Sequence, residues 1–253
     1  MLAVELGIEG RVALVMGASR GIGRAIAESL AREGVRVALA SRSADRLAEA
    51  ADAIDGEARI FEADTADLDR LAGLPGEVAE ALGPVEILVT NTGGPPPGEA
   101  LDAELEAWRA AYQHLVLAPR VLVEAALPAM RERGWGRIVN VGSSSTIEPI
   151  PHLALSNVHR LATVGFFKTL ARELAADGIT VNTVATGKID TERLASLSGS
   201  REAAIEAARD QVPVGRLGTP QEYADLVAFL CSERAGYLTG TVIPLDGGLL
   251  RSV

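Results

Sequence analysis

Cysteine and lysine are both scarce in this chain, and each scarcity excludes a class of protein. The single cysteine, Cys231, rules out a disulfide framework within the chain, and its apolar neighbours (VAFLCSE) predict a small core residue. The sequence has no Cys/His spacing typical of a metal site and no secretory signal. No apolar run approaches the roughly 18–20 residues that span a bilayer. We therefore expect a soluble cytoplasmic protein that holds no metal.

Basic residues are outnumbered by acidic ones, 24 against 34, which gives a formal net charge of −10 over 253 residues. This balance argues against a nucleic-acid or anionic-membrane surface. Only two of the basic residues are lysines, Lys168 and Lys188, so almost all the positive charge is arginine. Hydrophobic residues make up 48% of the chain, which is enough for a sizeable core.

Strand-like and helical patterns alternate from one end of the chain to the other. This alternation predicts an α/β fold: one Rossmann-type domain over residues 1–253, with a doubly wound parallel sheet and helices on both faces. Cofactor and substrate are then expected at the carboxyl ends of the strands. The predicted strands are 12–16, 35–40, 58–63, 85–90, 137–142, 179–185 and 241–246. The predicted helices are 23–33, 44–54, 67–82, 101–132, 155–176, 191–211 and 220–233.

The first strand runs into a glycine-rich turn, and a helix pattern follows at once (VALVMGASRGIG, residues 12–23). Glycines at 17, 21 and 23 permit a tight turn and a close approach of the backbone to a ligand. Free N–H groups and the helix dipole at the start of the helix favour an anion. Strand, glycine turn and helix in this order predict a site for the diphosphate of a nucleotide.

Over nearly its full length the chain resembles the short-chain dehydrogenase/reductase family, including its 3-oxoacyl-acyl-carrier-protein reductases. The resemblance implies transfer of a hydride between NADP(H) or NAD(H) and a carbonyl or alcohol substrate. It also implies a homotetramer and a substrate lid over residues 191–212. The matching segments are GASRGIG (17–23), LVTNTGG (88–94), GRIVNVGSS (136–144), ARELAADGITVNTVATG (171–187, with Thr186 in place of the usual proline) and LTGTVIPLDGG (238–248).

The same resemblance implies a set of cofactor-binding residues. Enzymes that use NAD usually carry an acidic residue after the second strand, where this chain has Ser41 and Arg42. Together with Arg20 in the glycine turn, the arginines suit a 2′-phosphate, so we expect NADP(H) to be preferred over NAD(H). The implied cofactor residues are Gly17, Ser19, Arg20, Gly21, Ile22, Gly23, Ser41, Arg42, Asp64, Asn91, Gly93, Gly187, Ile189 and Thr191.

Catalysis in this family relies on Asn, Ser, Tyr and Lys, with Tyr and Lys four residues apart on one helix. Alignment backwards from ARELAADGITVN assigns Leu155 to the tyrosine position and His159 to the lysine position. Leu115 takes the asparagine position, and the serine is retained as Ser143 or Ser144. The loop that leads to Leu155 looks one residue short. Because leucine has no proton to transfer, the family's usual mechanism is not expected here.

Other groups could supply the acid. His159 is expected to project from the cofactor face and His152 to reach a substrate oxygen, because histidine titrates near neutral pH. Tyr112 and Lys188 are further candidates, whereas Arg160, about 100° around the helix from His159, could provide only charge. Three hypotheses follow: a reductase with an unusual proton donor that takes a neutral or acyl-like carbonyl substrate, a non-catalytic NADP(H) sensor or scaffold, and a lyase or isomerase.

Overall fold

The computed structural model describes residues 5–252 and contains one seven-stranded parallel sheet. Its strand order is β3-β2-β1-β4-β5-β6-β7. The strands are β1 (Val12–Met16), β2 (Arg36–Ser41), β3 (Ala58–Glu62), β4 (Ile87–Thr90), β5 (Gly136–Val141), β6 (Ile179–Thr186) and β7 (Val242–Leu245). The predicted α/β class and the parallel sheet are confirmed.

Helices cover both faces of this sheet. They are α1 (Gly21–Arg32), α2 (Ala44–Asp52), α3 (Leu68–Leu82), α4 (Leu105–Tyr112), α5 (Ala118–Arg133), α6 (Ala154–Leu174), α7 (Glu192–Ser198), α8 (Arg201–Gln211) and α9 (Pro220–Cys231). The long helix predicted over 101–132 is interrupted, because a π-helical segment, Gln113–Leu117, separates α4 from α5. The helix predicted over 191–211 is likewise divided at Gly199, where φ is +87°.

Strand β1 shows why the sheet must be covered on both sides. Its alternate residues Ala13 and Val15 belong to the core beneath α1 and α9. Val12, Leu14 and Met16 belong to the other core, beneath α3, α5 and α6. All five β1 residues are buried, which is the pattern of a central parallel strand.

The strand order reverses between β1 and β4. From β1 the chain moves outward to β2 and β3, then crosses back to β4 and continues outward to β7. Crossovers on the two sides of this point leave a crevice at the carboxyl ends of β1 and β4. The glycine turn after β1 and the loop after β4 therefore border the same crevice.

Membrane-spanning helices and metal sites were both expected to be absent, and the structure bears on this for residues 5–252. None of the helices within residues 5–252 has both the length and the apolarity to cross a bilayer. The same residues contain no group of three or more His, Cys, Asp or Glu side chains arranged to hold a metal. Cys231 is fully buried, as the sequence predicted, and burial raises the pKa of its thiol to about 12.

A glycine pair beside the start of β6 provides a test of the fold. Gly134 and Gly178 both have positive φ, +60° and +74°, but a Cβ on Gly178 would lie 2.2 Å from the Gly134 carbonyl oxygen. Gly134→Ala meets no atom within 4 Å and should cost only the backbone strain, about 1–2 kcal/mol of unfolding free energy. Gly178→Ala should cost about 1–3 kcal/mol more, because the backbone must move. Urea unfolding of both variants measures the difference, and equal losses would contradict the contact.

Candidate functional site

The glycine turn is so tight that a Cβ at Gly17 or Gly23 would collide with neighbouring atoms. Gly17 and Gly21 have φ of +63° and +55°, and a Cβ on Gly23 would lie 2.2 Å from the Gly17 carbonyl oxygen. The side-chain nitrogen of Asn91, after β4, would lie 2.8 Å from a Cβ on Gly17 or Gly23. No side chain caps the start of α1, and its first turn has no acidic residue. This bare helix terminus fits an anionic diphosphate.

Residues expected around the adenosine end of a nucleotide lie at the ends of β2 and β3. The Oγ of Ser41 accepts a hydrogen bond from the Ser43 amide over 3.3 Å, and the neighbouring Arg42 is exposed. Asp64 Oδ1 accepts from the Ala66 amide over 2.9 Å, so this carboxylate shapes the turn after β3. The edge of the crevice therefore presents a hydroxyl and a guanidinium after β2.

Arg20 is already engaged by a carboxylate. Its guanidinium forms an ion pair with Glu192, the first residue of α7. On the same turn Thr191 caps α7 by accepting from the Leu194 amide, and its methyl group would lie 3.5 Å from a Cβ on Gly21. Helix α7 thus begins directly against the glycine turn.

Arg160 is the α6 side chain that reaches the strand ends. Its Nη1 donates to the Val141 carbonyl at the end of β5 over 2.9 Å. Its Nη2 donates to the Gly93 carbonyl, after β4, over 2.5 Å. Burial, and to a lesser extent the charge of Arg193, lowers the pKa of Arg160 to about 10, so it remains cationic at neutral pH.

His159 lies on a different face of α6. Its ring is 5.3 Å from that of Trp108 on α4, and its Nδ1 is 2.8 Å from the Leu155 carbonyl. One turn later, Thr163 Oγ1 donates to the carbonyl of Leu115 over 2.6 Å. Leu155, His159 and Thr163 therefore form the stripe that packs against α4 and the π-helical segment.

This geometry corrects the expected register of α6. We expected His159 to face the cofactor and Leu155 to stand at the tyrosine position, but both side chains are buried on the α4 side. Successive helical residues differ by about 100°, so an error of one residue moves a side chain to another face. The residue that precedes Arg160 by four, the spacing of the family pair, is Ser156. Sequence reasoning did not single out Ser156.

The three serines after β5 differ in exposure. Ser143 is partly exposed, and its Oγ accepts from the Ser145 amide over 3.1 Å. Ser144 and Ser145 are buried, with 3% and 4% of their surfaces exposed. Of the two candidates left open by the sequence, Ser143 is the more exposed.

The remaining polar candidates do not converge on one point. His152 is exposed, and its Nδ1 lies 2.5 Å from Glu99 Oε1. His114 Nδ1 lies 2.9 Å from the Thr65 hydroxyl, near the end of β3. Tyr112 is 46% exposed and packs beside His159, with ring centroids 6.3 Å apart.

A buried tyrosine supports the loop after β6. Thr186 Oγ1 donates to the Tyr223 hydroxyl over 3.1 Å, and that hydroxyl donates to the Val184 carbonyl over 3.2 Å. Burial raises the pKa of Tyr223 well above its ordinary value. Tyr223 therefore acts as a neutral hydrogen-bonding group. Its contact with Thr186 was not foreseen, because it joins α9 to a position where the family has proline.

The rest of this loop is held by backbone contacts. A Cβ on Gly187 would lie 2.4 Å from the Cα of Asp246, so only glycine fits beside the end of β7. The Ile189 side chain is buried in the core, which leaves its backbone as the part that could meet a ligand. Lys188 Nζ donates to Gln211 Oε1 over 2.6 Å, and burial lowers the pKa of Lys188.

Arg193 connects α7 to the loop after β4. Its Nη2 donates to the Pro95 carbonyl over 2.6 Å, and its guanidinium covers Gly94, where a Cβ would be 2.9 Å from Nη2. Burial lowers the pKa of Arg193. Arg193 was not among the predicted site residues, although it lies two positions after Thr191.

Known proteins match this chain over nearly its full length. Residues 17–250 match the family model described as enoyl-(acyl carrier protein) reductase. The 3-oxoacyl-acyl-carrier-protein reductase FabG of Escherichia coli is 36% identical over 244 residues, which cover 96% of this chain and 99% of that protein.

Solved structures show the same architecture with a nucleotide bound. L-Sorbose reductase of Gluconobacter frateurii, complexed with NADPH and L-sorbose, superposes with a TM-score of 0.94 at 33% identity, covering 99% of this chain and 100% of that one. A variant of actinorhodin polyketide ketoreductase with NADPH gives a TM-score of 0.91 at 32% identity, again covering 99% and 100%.

The Tyr223 contact can be tested through stability. Tyr223→Phe should lower the unfolding free energy by about 1–3 kcal/mol, because the Thr186 hydroxyl and the Val184 carbonyl lose their buried partner. Tyr112→Phe removes a hydroxyl from a half-exposed ring and should change stability by less than about 0.5 kcal/mol. Urea unfolding measures both, and a neutral Tyr223→Phe variant would show that the hydrogen bonds are not formed.

Proposed function

This chain belongs to the short-chain dehydrogenase/reductase family, and on that premise we propose that it is an NADP(H)-dependent oxidoreductase acting on a carbonyl compound or the corresponding alcohol. The observation that carries the proposal is the position of Arg160. Its guanidinium bonds to the Val141 carbonyl at the end of β5 and to the Gly93 carbonyl in the loop after β4, which borders the crevice. A fixed positive charge at this point can stabilise an oxyanion.

The glycine turn and the end of β2 are the proposed cofactor site. Gly17, Gly21 and Gly23 would admit the diphosphate to the start of α1. Arg42, with Ser41 beside it, would bind the 2′-phosphate of NADP(H). An arginine fork matches phosphate oxygens, and the absence of a carboxylate after β2 disfavours NAD(H). Arg20 would join Arg42 if the phosphate displaces Glu192.

The proposed chemistry uses two hydroxyls and one guanidinium. When bound, NADPH supplies the hydride. Ser143 would donate a hydrogen bond to the carbonyl oxygen, and Ser156, four residues before Arg160, takes the position of the family's tyrosine. Arg160 takes the position of the lysine and stabilises the alkoxide by its charge. We assign the proton to the Ser156 hydroxyl, which would recover it from water.

A non-catalytic sensor or scaffold is the second candidate. Leu115, in the asparagine position, is buried and offers only its carbonyl to Thr163. A water relay through this position would lack its side-chain amide. Nucleotide binding without turnover would favour this alternative.

We also propose that the protein is a homotetramer. Residues 191–212, which include α7 and α8, are proposed to form a lid over the substrate site. Exposed apolar side chains along α4 and α6 support the first part: Leu105, Tyr112, Val158 and Leu161 are 46–63% exposed. The break at Gly199 and the ion pair between Glu192 and Arg20 support the lid. The break provides a hinge, and the ion pair provides a contact with the glycine turn.

Titration of NADPH and NADH by nucleotide fluorescence tests the cofactor site. NADPH should bind more tightly than NADH, and Arg42→Gln should weaken NADPH binding about tenfold while leaving NADH unchanged, because only the 2′-phosphate contact is lost. NADPH oxidation with simple ketones and 3-oxoacyl thioesters then tests for turnover. Failure to bind either nucleotide would refute the proposal.

Separate substitution of the neighbours Arg160 and His159 tests which of the two faces the site. Arg160→Gln should lower kcat/KM at least about 100-fold, because a charge at the reacting oxygen is removed, and Arg160→Lys should restore part of it. His159→Phe keeps a ring against Trp108 and should change kcat/KM less than about threefold. A large loss of kcat/KM in His159→Phe, with near-normal kcat/KM in Arg160→Gln, would show that His159 and not Arg160 acts in the site.

A further inference from the structure

Two arginines meet the same short segment of the crevice from different helices. Arg160 on α6 donates to the Gly93 carbonyl over 2.5 Å, and Arg193 on α7 donates to the Pro95 carbonyl over 2.6 Å. These carbonyls are two residues apart in the chain, so they lie within about 7 Å of each other. The two guanidinium groups therefore flank the loop that follows β4, near the position proposed for the substrate.

Neither charge is neutralised by the protein. Among residues 5–252, neither Arg160 nor Arg193 forms an ion pair with a carboxylate. Two carboxylates on the surrounding segments are engaged by other cations, Glu192 by Arg20 and Asp190 by Arg201. A third, Glu99, has its Oε1 2.5 Å from His152 Nδ1. Arg160 is partly buried and Arg193 is exposed. Two like charges this close repel each other, and an anion that joins them removes the repulsion.

Both guanidinium groups retain donors for such an anion. A guanidinium has five N–H donors. Arg160 uses two donors on main-chain carbonyls, and Arg193 uses one. The proximity of the two charges is also felt electrostatically, because Arg193 lowers the pKa of Arg160. The free edges suit a planar carboxylate, which arginine binds through paired hydrogen bonds.

We propose that Arg193, beside the positive charge of Arg160, binds the carboxylate of the substrate, so that the preferred carbonyl compound is an oxo acid with a free carboxylate group. This inference rests on the proposed oxidoreductase function and narrows its substrate class. Ser143 lies two residues after Val141, to which Arg160 is bonded, so a hydroxyl for the carbonyl oxygen is available beside the anion site. Arg193 is carried by the proposed lid and would fix the acid as the lid closes.

Matched acids and esters provide the test. NADPH oxidation is measured with acetoacetate and 4-oxopentanoate and with their methyl esters, at constant ionic strength. Each acid should show a kcat/KM at least about tenfold above that of its ester. Arg193→Gln should lower kcat/KM for the acids about 10–100-fold and for the esters less than about threefold, and Arg193→Lys should retain part of the preference.

Arg209→Gln is the matched control, because Arg209 is an exposed arginine of the same lid and the substitution removes the same charge. It should leave the acid-to-ester ratio unchanged. Esters used as well as acids by the wild type, or an Arg193→Gln variant that slows acids and esters equally, would overturn the carboxylate site.

A binding measurement separates this inference from the proposed function. Pentanoate and pentanamide have no ketone to reduce, and the rise in melting temperature with each reports binding to the nucleotide-free protein. A rise with pentanoate alone, lost in Arg193→Gln and kept in Arg209→Gln, supports the anion site even if no ketone is turned over. Turnover of neutral ketones without any pentanoate effect would support the oxidoreductase and refute the anion site.

Discussion

The hydrogen bonds from Arg160 to the Val141 and Gly93 carbonyls are the contact on which the arrangement of the site depends. They join the middle of the sheet, the loop after β4 and helix α6 through one side chain. The planar guanidinium bonds both carbonyls from one face of α6, whereas Leu155 and His159 lie on the face towards α4. Ser156, one turn before Arg160, is buried, with 6% of its surface exposed. The chemical character of the site follows from this choice of face.

The fold was predictable because its signals are local and repeated. Seven apolar strand patterns separated by helical ones leave few arrangements other than a doubly wound sheet, and the glycine turn marks its first crossover. The face of α6 that His159 occupies was harder to predict, because successive helical residues differ by about 100° and both His159 and Arg160 are basic. The loop that looks one residue short was a usable signal, because shifting the alignment by one residue, to Ser156 and Arg160, would remove the shortfall.

Other parts of the site depend on contacts between distant segments. Arg193 and Pro95 are 98 residues apart, and Tyr223 and Thr186 are joined only by the packing of α9 beneath β6. Nothing in the local pattern around an exposed arginine of α7 predicts which carbonyl it will reach. The loops at the strand ends could be predicted from the sequence, whereas the side chains that α7 and α9 bring to them could not.

The loop after β4 is flanked by positive charge, although the whole molecule is negative. The chain carries a formal charge of −10, yet Arg160 and Arg193 both bond to carbonyls of this loop. At physiological ionic strength, fields from exposed carboxylates fade over about 8 Å, so distant acidic groups do not cancel the charge of two neighbouring arginines. A large acidic partner meets the negative exterior first, whereas a small carboxylate that enters the crevice meets the arginines. This difference in size between the two kinds of molecule favours a small, free oxo acid over a substrate attached to an acidic carrier.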